Sequence, residues 1–172
     1  ANGARSIDTL IIDWLDANRD YAAWLIPLLA FTEACLGVGL FVSGLILFGV
    51  ATVMVETQIL TLWQITPLAF FGALLGDHAG FYIGWHVGPR LHQFRLAQRY
   101  RKHLERGERL ILRYGPSTIF IGRFIPAIRS LLPAMLGISG FARARYSLLD
   151  TIACALWSIA LAGLVAITSG LF

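Results

Sequence analysis

The chain has 172 residues, of which 57% are hydrophobic and only 14% are charged, with a formal net charge of +4. Soluble domains carry about 25% charged residues, so this composition and a mean hydropathy of +0.69 exclude an ordinary soluble protein and indicate an integral membrane protein. The length suits one membrane domain covering residues 1–172. Cys35 and Cys154 lie in apolar runs, which predicts buried free thiols with neither a disulfide nor a metal site. No cofactor is expected.

The first predicted elements are a surface helix and a hairpin. Residues 6–19 alternate apolar side chains at helical spacing with aspartates, which predicts an amphipathic helix lying at the membrane interface. Residues 21–55 are apolar apart from Glu33. As one helix they would extend about 52 Å, too long for a single crossing of a hydrocarbon core about 30 Å thick. The glycines that end at Gly44 offer a break, and we predict a re-entrant hairpin of two short helices.

Residues 64–88 predict a transmembrane helix with an acid, Asp77, near its middle. Glycines recur every fourth residue in this segment, among them Gly76 and Gly80, and small residues at that spacing permit close helix approach. Residues 89–113 follow and carry eight arginines and lysines against two glutamates. The positive-inside rule predicts a cytoplasmic amphipathic segment, whose charges contact anionic lipid rather than nucleic acid.

The last predicted elements are a second hairpin and a final transmembrane helix. Residues 114–141 contain three prolines, which forbid one continuous helix, and each half reaches only about half of the bilayer. We therefore predict a second re-entrant hairpin, followed by a transmembrane helix over residues 146–170. The order of elements predicts an all-α integral membrane protein whose two halves form an inverted repeat, as in many transporters.

The segment FIGRFIPAIRS, residues 120–130, places two arginines in an apolar stretch. A guanidinium at bilayer depth costs several kcal/mol, so Arg123 and Arg129 require an anionic partner. Pro126 breaks the helix between them, and we predict that the break turns both guanidiniums toward one point. Arginine presents a planar fork of N–H groups that suits phosphate and carboxylate.

Glu33 and Asp77 are the predicted acidic members of this site. Burial opposes ionisation of a carboxyl group and a nearby arginine favours it, so we predict that one of them exchanges a proton as the site opens. The alternative is a buried ion-pair cluster that only ties the hairpins together. His78 and His86 are interpreted as interface or packing residues.

Two stretches resemble a known family. GDHAGFYIGWHVG at 76–88 and GRFIPAIRSLLPAMLGISG at 122–140 are similar to the signature stretches of the DedA family, also called the VTT or SNARE-associated membrane proteins. The resemblance implies two re-entrant hairpins, transport of lipid carriers such as undecaprenyl phosphate, scrambling of phospholipids in eukaryotic relatives and, in some members, dependence on the proton gradient. It matches the family's functional acid to Glu33 and its arginines to Arg123 and Arg129. Many members carry Pro-Gly-acid in the first hairpin, where this chain has Ser43-Gly44-Leu45.

We therefore predict a lipid transporter or flippase of the bacterial inner membrane rather than an enzyme. Its expected partners are a lipid phosphate headgroup, membrane lipids and protons, and a homo-oligomer is compatible with the sequence. Arg123, Arg129, Glu33 and Asp77 are expected to bind the substrate. The residues expected to shape the site are Pro126, Pro133, Gly44, Gly76 and Gly80. The alternatives are a proton-coupled exporter of small ions or drugs, an intramembrane enzyme and a non-transporting scaffold.

Overall fold

Helices account for all the regular structure in the computed structural model, which describes residues 17–35, 44–88, 113–117, 119–120 and 129–170. These ranges contain five α-helices and no strand, so the predicted all-α class is confirmed for them. The helices are α1 Arg19–Ala34, α2 Gly44–Glu56, α3 Leu62–Val87, α4 Leu132–Ile138 and α5 Arg143–Thr168, with a short 3-10 helix at Gly115–Ser117.

Helices α1 and α2 replace the single long helix that the apolar run 21–55 would otherwise form. They pack against each other, as expected for the two arms of a hairpin. Residues 36–43, which join them, lie outside the described residues, so the re-entrant path remains a prediction. Beyond α2 the backbone N–H groups of Ile59 and Leu60 both donate to the Met54 carbonyl, at 2.9 and 3.1 Å, and close the helix.

Helix α3 lies at the centre of the bundle, where α1, α4 and α5 all pack against it. Its start is fixed locally, since the backbone N–H of Thr61 donates to Gln64 Oε1 at 3.0 Å. This satisfies one of the donors that every helix N-terminus leaves open. The predicted helix at 64–88 is therefore present, with ends within two residues of the expected ones.

The glycines of α3 lie where other helices approach its backbone. A Cβ on Gly76 would come within 2.6 Å of Ala34 Cβ on α1, and one on Gly84 would collide with the Ala134 backbone on α4. The first half of the helix therefore supports α1 and the second half supports α4. The close approach predicted from the glycine spacing is present.

Helix α5 is the described helix whose length and composition suffice to cross a membrane. It has 26 residues, and its most apolar stretch of 18 residues has a mean hydropathy of 2.1. Helix α3 is equally long, but polar residues such as Asp77 and His78 lower its hydropathy. The apolar residues of α5 that are exposed in the isolated chain, and that suit a lipid-facing surface, are Leu148, Ile152, Leu156, Ile159, Leu164 and Ile167.

Within the described ranges, the apolar interior consists of two separate clusters. The first joins α1 and α2 to the beginning of α3 and the end of α5, through residues such as Ile26, Met54 and Val165. The second surrounds Phe81 and Tyr146, near the other ends of α3 and α5. Between the two clusters, α3 contributes Asp77 and α5 contributes Asp150, and both are buried. We call this level of the bundle the polar layer.

Several predictions fall on other parts of the chain. The amphipathic helix at 6–19 and the basic segment at 89–113 lie almost wholly outside the described residues, as does the centre of the second hairpin at 121–128. The inverted repeat, which depends on the course of both hairpins, remains a prediction.

Candidate functional site

Glu33 and Arg129 form a buried ion pair across a separation of 96 residues in sequence. The Arg129 Nη1 group donates to Glu33 Oε1, and the two side chains are only 12% and 4% exposed. Glu33 is near the end of α1, and Arg129 lies just before α4. The pair therefore joins the first predicted hairpin to the second.

Arg129 has unused hydrogen-bonding capacity. Its Nε and Nη2 groups, together with Glu33 Oε2, are buried and have no hydrogen-bond partner among the residues that the structure describes. The guanidinium carbon lies 4.9 Å from the centre of the Trp157 ring, which offers a cation–π contact but no acceptor for the N–H groups. A buried arginine whose N–H groups lack acceptors is suited to bind a second anionic ligand.

Gly44 is adjacent to the Glu33 carboxylate. A Cβ at this position would lie 2.6 Å from Glu33 Oε1. The absence of a side chain at the start of α2 therefore leaves room for the carboxylate that Arg129 contacts. Gly44 was predicted as a residue that shapes the site, and it does lie against one of the site's charged groups.

Asp77 and Asp150 meet in the polar layer with Cys154 between them. The Cys154 Sγ lies 3.6 Å from Asp77 Oδ2 and 3.8 Å from Asp150 Oδ2, so that its single S–H group has two carboxyl oxygens within reach. All three side chains are at most 2% exposed, and each makes further interactions. Cys154 was predicted to be a buried small hydrophobe; it is buried, but its thiol contacts two carboxyl groups.

His78 connects this cluster to the half-buried edge of the bundle. Its Nδ1 lies 3.3 Å from Asp150 Oδ2 and 3.0 Å from the Leu74 carbonyl oxygen. Its Nε2 lies 2.9 Å from the Ser147 hydroxyl. The interpretation of His78 as a packing residue is therefore incomplete, because both of its nitrogens have specific polar neighbours.

Tyr146 of α5 makes two contacts with α3 next to the polar layer. Its ring stacks on Phe81 with 4.0 Å between the ring centres and 7° between the planes. Its hydroxyl donates to the Asp77 backbone carbonyl at 3.2 Å. These contacts hold α5 against α3 one turn from the acidic side chains.

Arg129 and the two aspartates line one small cavity. Its volume is about 10 Å³, room for about one water molecule. The guanidinium therefore contacts Glu33 directly and shares the wall of the cavity with the two aspartates. The lining residues are Asp77, Ile119, Arg129, Leu132, Pro133, Leu136, Tyr146 and Asp150.

The structure brings together part of the predicted site. Glu33 and Arg129 are in contact, and Asp77 shares the cavity with Arg129 and Pro133. Gly80 lies beside Pro133, where a Cβ would be 3.5 Å from Pro133 Cβ. Arg123 and Pro126 lie outside the described residues, so the expected convergence of two guanidiniums remains a prediction.

Sequence reasoning missed Asp150 as a site residue. An acid near the start of a transmembrane helix is ordinarily solvated, yet Asp150 is 1% exposed and its carboxyl oxygen lies within 4.8 Å of that of Asp77. One signal was available: Asp150 and Cys154 are four residues apart, on the same face of a helix, in an otherwise apolar run.

The donor atoms of Asp77, Asp150 and Cys154 all lie within 4.8 Å of one another. Such grouping occurs commonly without a metal ion, and each of the three residues already has other interactions. We treat them as a polar cluster, and the prediction that the chain binds no metal remains a prediction.

The described helices, of which α5 is long and apolar enough to cross a membrane, fit the class of helical membrane proteins. Comparison with known proteins narrows the class: the family model described as the VTT domain matches residues 36–167. The chain belongs to this family, the DedA family of membrane proteins, as the two signature stretches indicated.

The relatives agree with this assignment. The chain is 25% identical over 151 residues to the inner membrane protein YabI of Escherichia coli, with 88% of the chain and 59% of YabI covered. It is 25% identical over 144 residues to the protein DedA of the same organism, with 80% of the chain and 66% of DedA covered. An uncharacterized membrane protein of Mycobacterium tuberculosis is 27% identical over 132 residues, 73% of the chain and 58% of that protein.

The predicted location, the bacterial inner membrane, is confirmed by these relatives. The chain spans about three fifths of the length of the curated relatives it matches. No solved structure matches the chain.

Proposed function

We propose that the protein moves the phosphate head of a membrane lipid across the bilayer, with a polyprenyl phosphate such as undecaprenyl phosphate, or a phospholipid, as substrate. The observation that carries the proposal is Arg129: a buried guanidinium that contacts one acid, faces a cavity and retains two N–H groups without described partners. A lipid phosphate is the membrane component whose charge and oxygen geometry match that fork.

Glu33 competes with the substrate for Arg129. In the arrangement described here the Arg129 charge is balanced by Glu33, and the neighbouring cavity is too small for a headgroup. A phosphate enters only when the Glu33 carboxylate gives up its contact, through movement of α1 or by taking up a proton. A buried arginine without an anionic partner is strongly destabilising. Arg129 therefore always contacts either the Glu33 carboxylate or the substrate phosphate.

Asp77 controls the access of the headgroup to Arg129. It is buried and lines the same cavity as Arg129, and in the ionised form it repels a phosphate. We propose that the phosphate occupies the space between Asp77 and Glu33 during the crossing while the hydrocarbon tail stays in the lipid. This placement agrees with a transporter that binds its substrate near the bilayer midplane.

Translocation of a fluorescent polyprenyl phosphate in proteoliposomes tests the proposal. We expect Arg129→Ala to lower the rate at least tenfold, because it removes the group that binds the phosphate, and Arg129→Lys to restore part of the rate. Arg145→Ala is the matched control, since Arg145 is an exposed arginine at the start of α5, and it should retain the wild-type rate.

Two outcomes would contradict the proposal. Wild-type translocation by Arg129→Ala would assign the Glu33–Arg129 pair a purely structural role. Flux of a water-soluble cation or drug down a pH gradient, without movement of any lipid phosphate, would favour the proton-coupled exporter instead. Fluorescent phosphatidylglycerol run in parallel distinguishes a polyprenyl phosphate from a phospholipid as the substrate.

A further inference from the structure

His78 is held so that one of its nitrogens can gain or lose a proton without losing a hydrogen bond. Its Nδ1 faces two acceptors, the Leu74 carbonyl and an Asp150 carboxylate oxygen, at 3.0 and 3.3 Å, so Nδ1 carries the hydrogen. The atom that changes is therefore Nε2, 2.9 Å from the Ser147 hydroxyl. A hydroxyl both donates and accepts, so Ser147 bonds Nε2 in either state.

The two ends of the His78–Asp150 pair lie in different surroundings. The His78 side chain is 22% exposed, whereas that of Asp150 is 2% exposed and lines the cavity beside Arg129. Ser147 is four residues from the start of α5, about 6 Å along the helix, next to the exposed Arg143 and Arg145. The imidazole thus links the basic end of α5 to a buried carboxyl group.

The charges that face the pair are accounted for element by element among the described residues. Helix α3 contributes Asp77 and Tyr82, whose ring centre lies 6.3 Å from that of His78. Helix α5 contributes Tyr146 and Cys154. Helix α4 carries no titratable side chain. Arg129 lines the same cavity as Asp150, and it is already paired with Glu33 of α1.

We propose that His78 and Asp150 form a proton relay that sets the charge of the cavity beside Arg129. A proton taken up at Nε2 makes the imidazole a cation, and the Nδ1 proton is then shared with Asp150 Oδ2 or passes to it. Either way one negative charge at the cavity wall is neutralised. The inference rests on the proposed function, because the quantity regulated is the strength with which the cavity holds an anionic headgroup.

Binding of a fluorescent polyprenyl phosphate to the full chain in nanodiscs, at about pH 6 and about pH 8, tests the relay. We expect the wild type to bind the probe roughly fivefold or more tightly at the lower pH. In His78→Gln and Asp150→Asn, the ratio of the two affinities should fall to the value that titration of the probe's own phosphate accounts for. The phosphate monoester itself titrates near pH 6, so every ratio is compared with that of a control variant.

His86→Gln is that control. His86 lies two turns along the same helix and its Nδ1 also contacts the carbonyl four residues earlier, Tyr82 O at 2.8 Å, but it is exposed and has no described carboxylate neighbour. It should keep the wild-type ratio. Unchanged ratios in both His78→Gln and Asp150→Asn, with the probe still bound, would overturn the relay and leave the proposed function standing.

A titration that does not depend on the lipid tests the relay separately. With ¹⁵N-labelled histidine, the imidazole signals of His78 and His86 are followed by NMR against pH. We expect Asp150→Asn to shift the midpoint of His78 and not that of His86. A His78 midpoint unaffected by Asp150→Asn would overturn the relay, and a shift in a protein that binds no lipid phosphate would support it while refuting the proposed function.

Discussion

The buried charged side chains of this chain each need a partner of opposite charge, because little water is present to solvate them. Arg129 and Glu33 balance each other, with side chains that are 12% and 4% exposed. Removing one partner of such a pair leaves the other charge uncompensated, whereas removing both does not.

This asymmetry gives a prediction for stability. We expect Glu33→Ala to lower the free energy of unfolding by about 3–5 kcal/mol, and the double variant Glu33→Ala/Arg129→Ala to lose less than the two single variants added together. Denaturant unfolding in detergent micelles measures the three values. Glu56→Ala, which removes an exposed acid at the end of α2, should change little.

Additive losses in the double variant would mean that the two residues act independently. The contact between them would then contribute nothing to the stability of the fold, and the proposed competition between Glu33 and the substrate would lose its basis.

The sequence predicts the charged residues of this site better than it predicts their partners. An arginine in an apolar run requires an acid, and Glu33 is the single charge in the first hairpin, so the pair follows from elementary electrostatics. The contact of Asp150 with Asp77 and His78 does not follow, because it depends on how α5 is rotated against α3. Rotation of that kind is set by packing, here the stack of Tyr146 on Phe81.

At the level of elements, the glycines of α3 explain why the bundle is built around this helix. Gly84 of α3 and Gly137 of α4 each lie directly against the other helix's backbone. Two backbones approach this closely only where side chains are absent. The glycine spacing predicted the contact face, while the identity of the helices on it required the structure.

Substitution of these glycines distinguishes packing from helix propensity. We expect Gly84→Ala to lower stability by about 1–3 kcal/mol, because the added methyl group collides with the Ala134 backbone. Gly49→Ala should be neutral or raise stability by up to about 1 kcal/mol, because its Cβ meets nothing within 4 Å and alanine favours the helix. Thermal unfolding in the same detergent compares the two variants.

A stable Gly84→Ala protein would show that α3 and α4 separate readily. The cavity, which lies between these helices and α5, would then change whenever α3 and α4 separate.

At the scale of the whole molecule, the reactivity of the two cysteines measures how tightly the helices pack, whatever the function of the protein. Cys35 follows α1 and is partly exposed, whereas Cys154 has no exposed surface. We expect a membrane-permeant maleimide to label Cys35 at least tenfold faster than Cys154 in the folded protein. Mass spectrometry of Cys35→Ser and Cys154→Ser separates the two rates, and the rates should become similar in denaturant.

Rapid labelling of Cys154 under native conditions would contradict the buried polar layer. Its thiol lies within reach of Asp77 and Asp150, so a reactive Cys154 would mean that α3 and α5 part at this level.

The buried ion pair also determines how the membrane around the protein affects its stability. Two apolar clusters join the described helices, and the Glu33–Arg129 ion pair adds a link by opposite charges between α1 and the segment before α4. Attraction between opposite charges grows as the permittivity of the medium falls. The hydrocarbon around the helices therefore strengthens the attraction within this buried ion pair, and the bilayer contributes to the cohesion of the molecule as well as containing it.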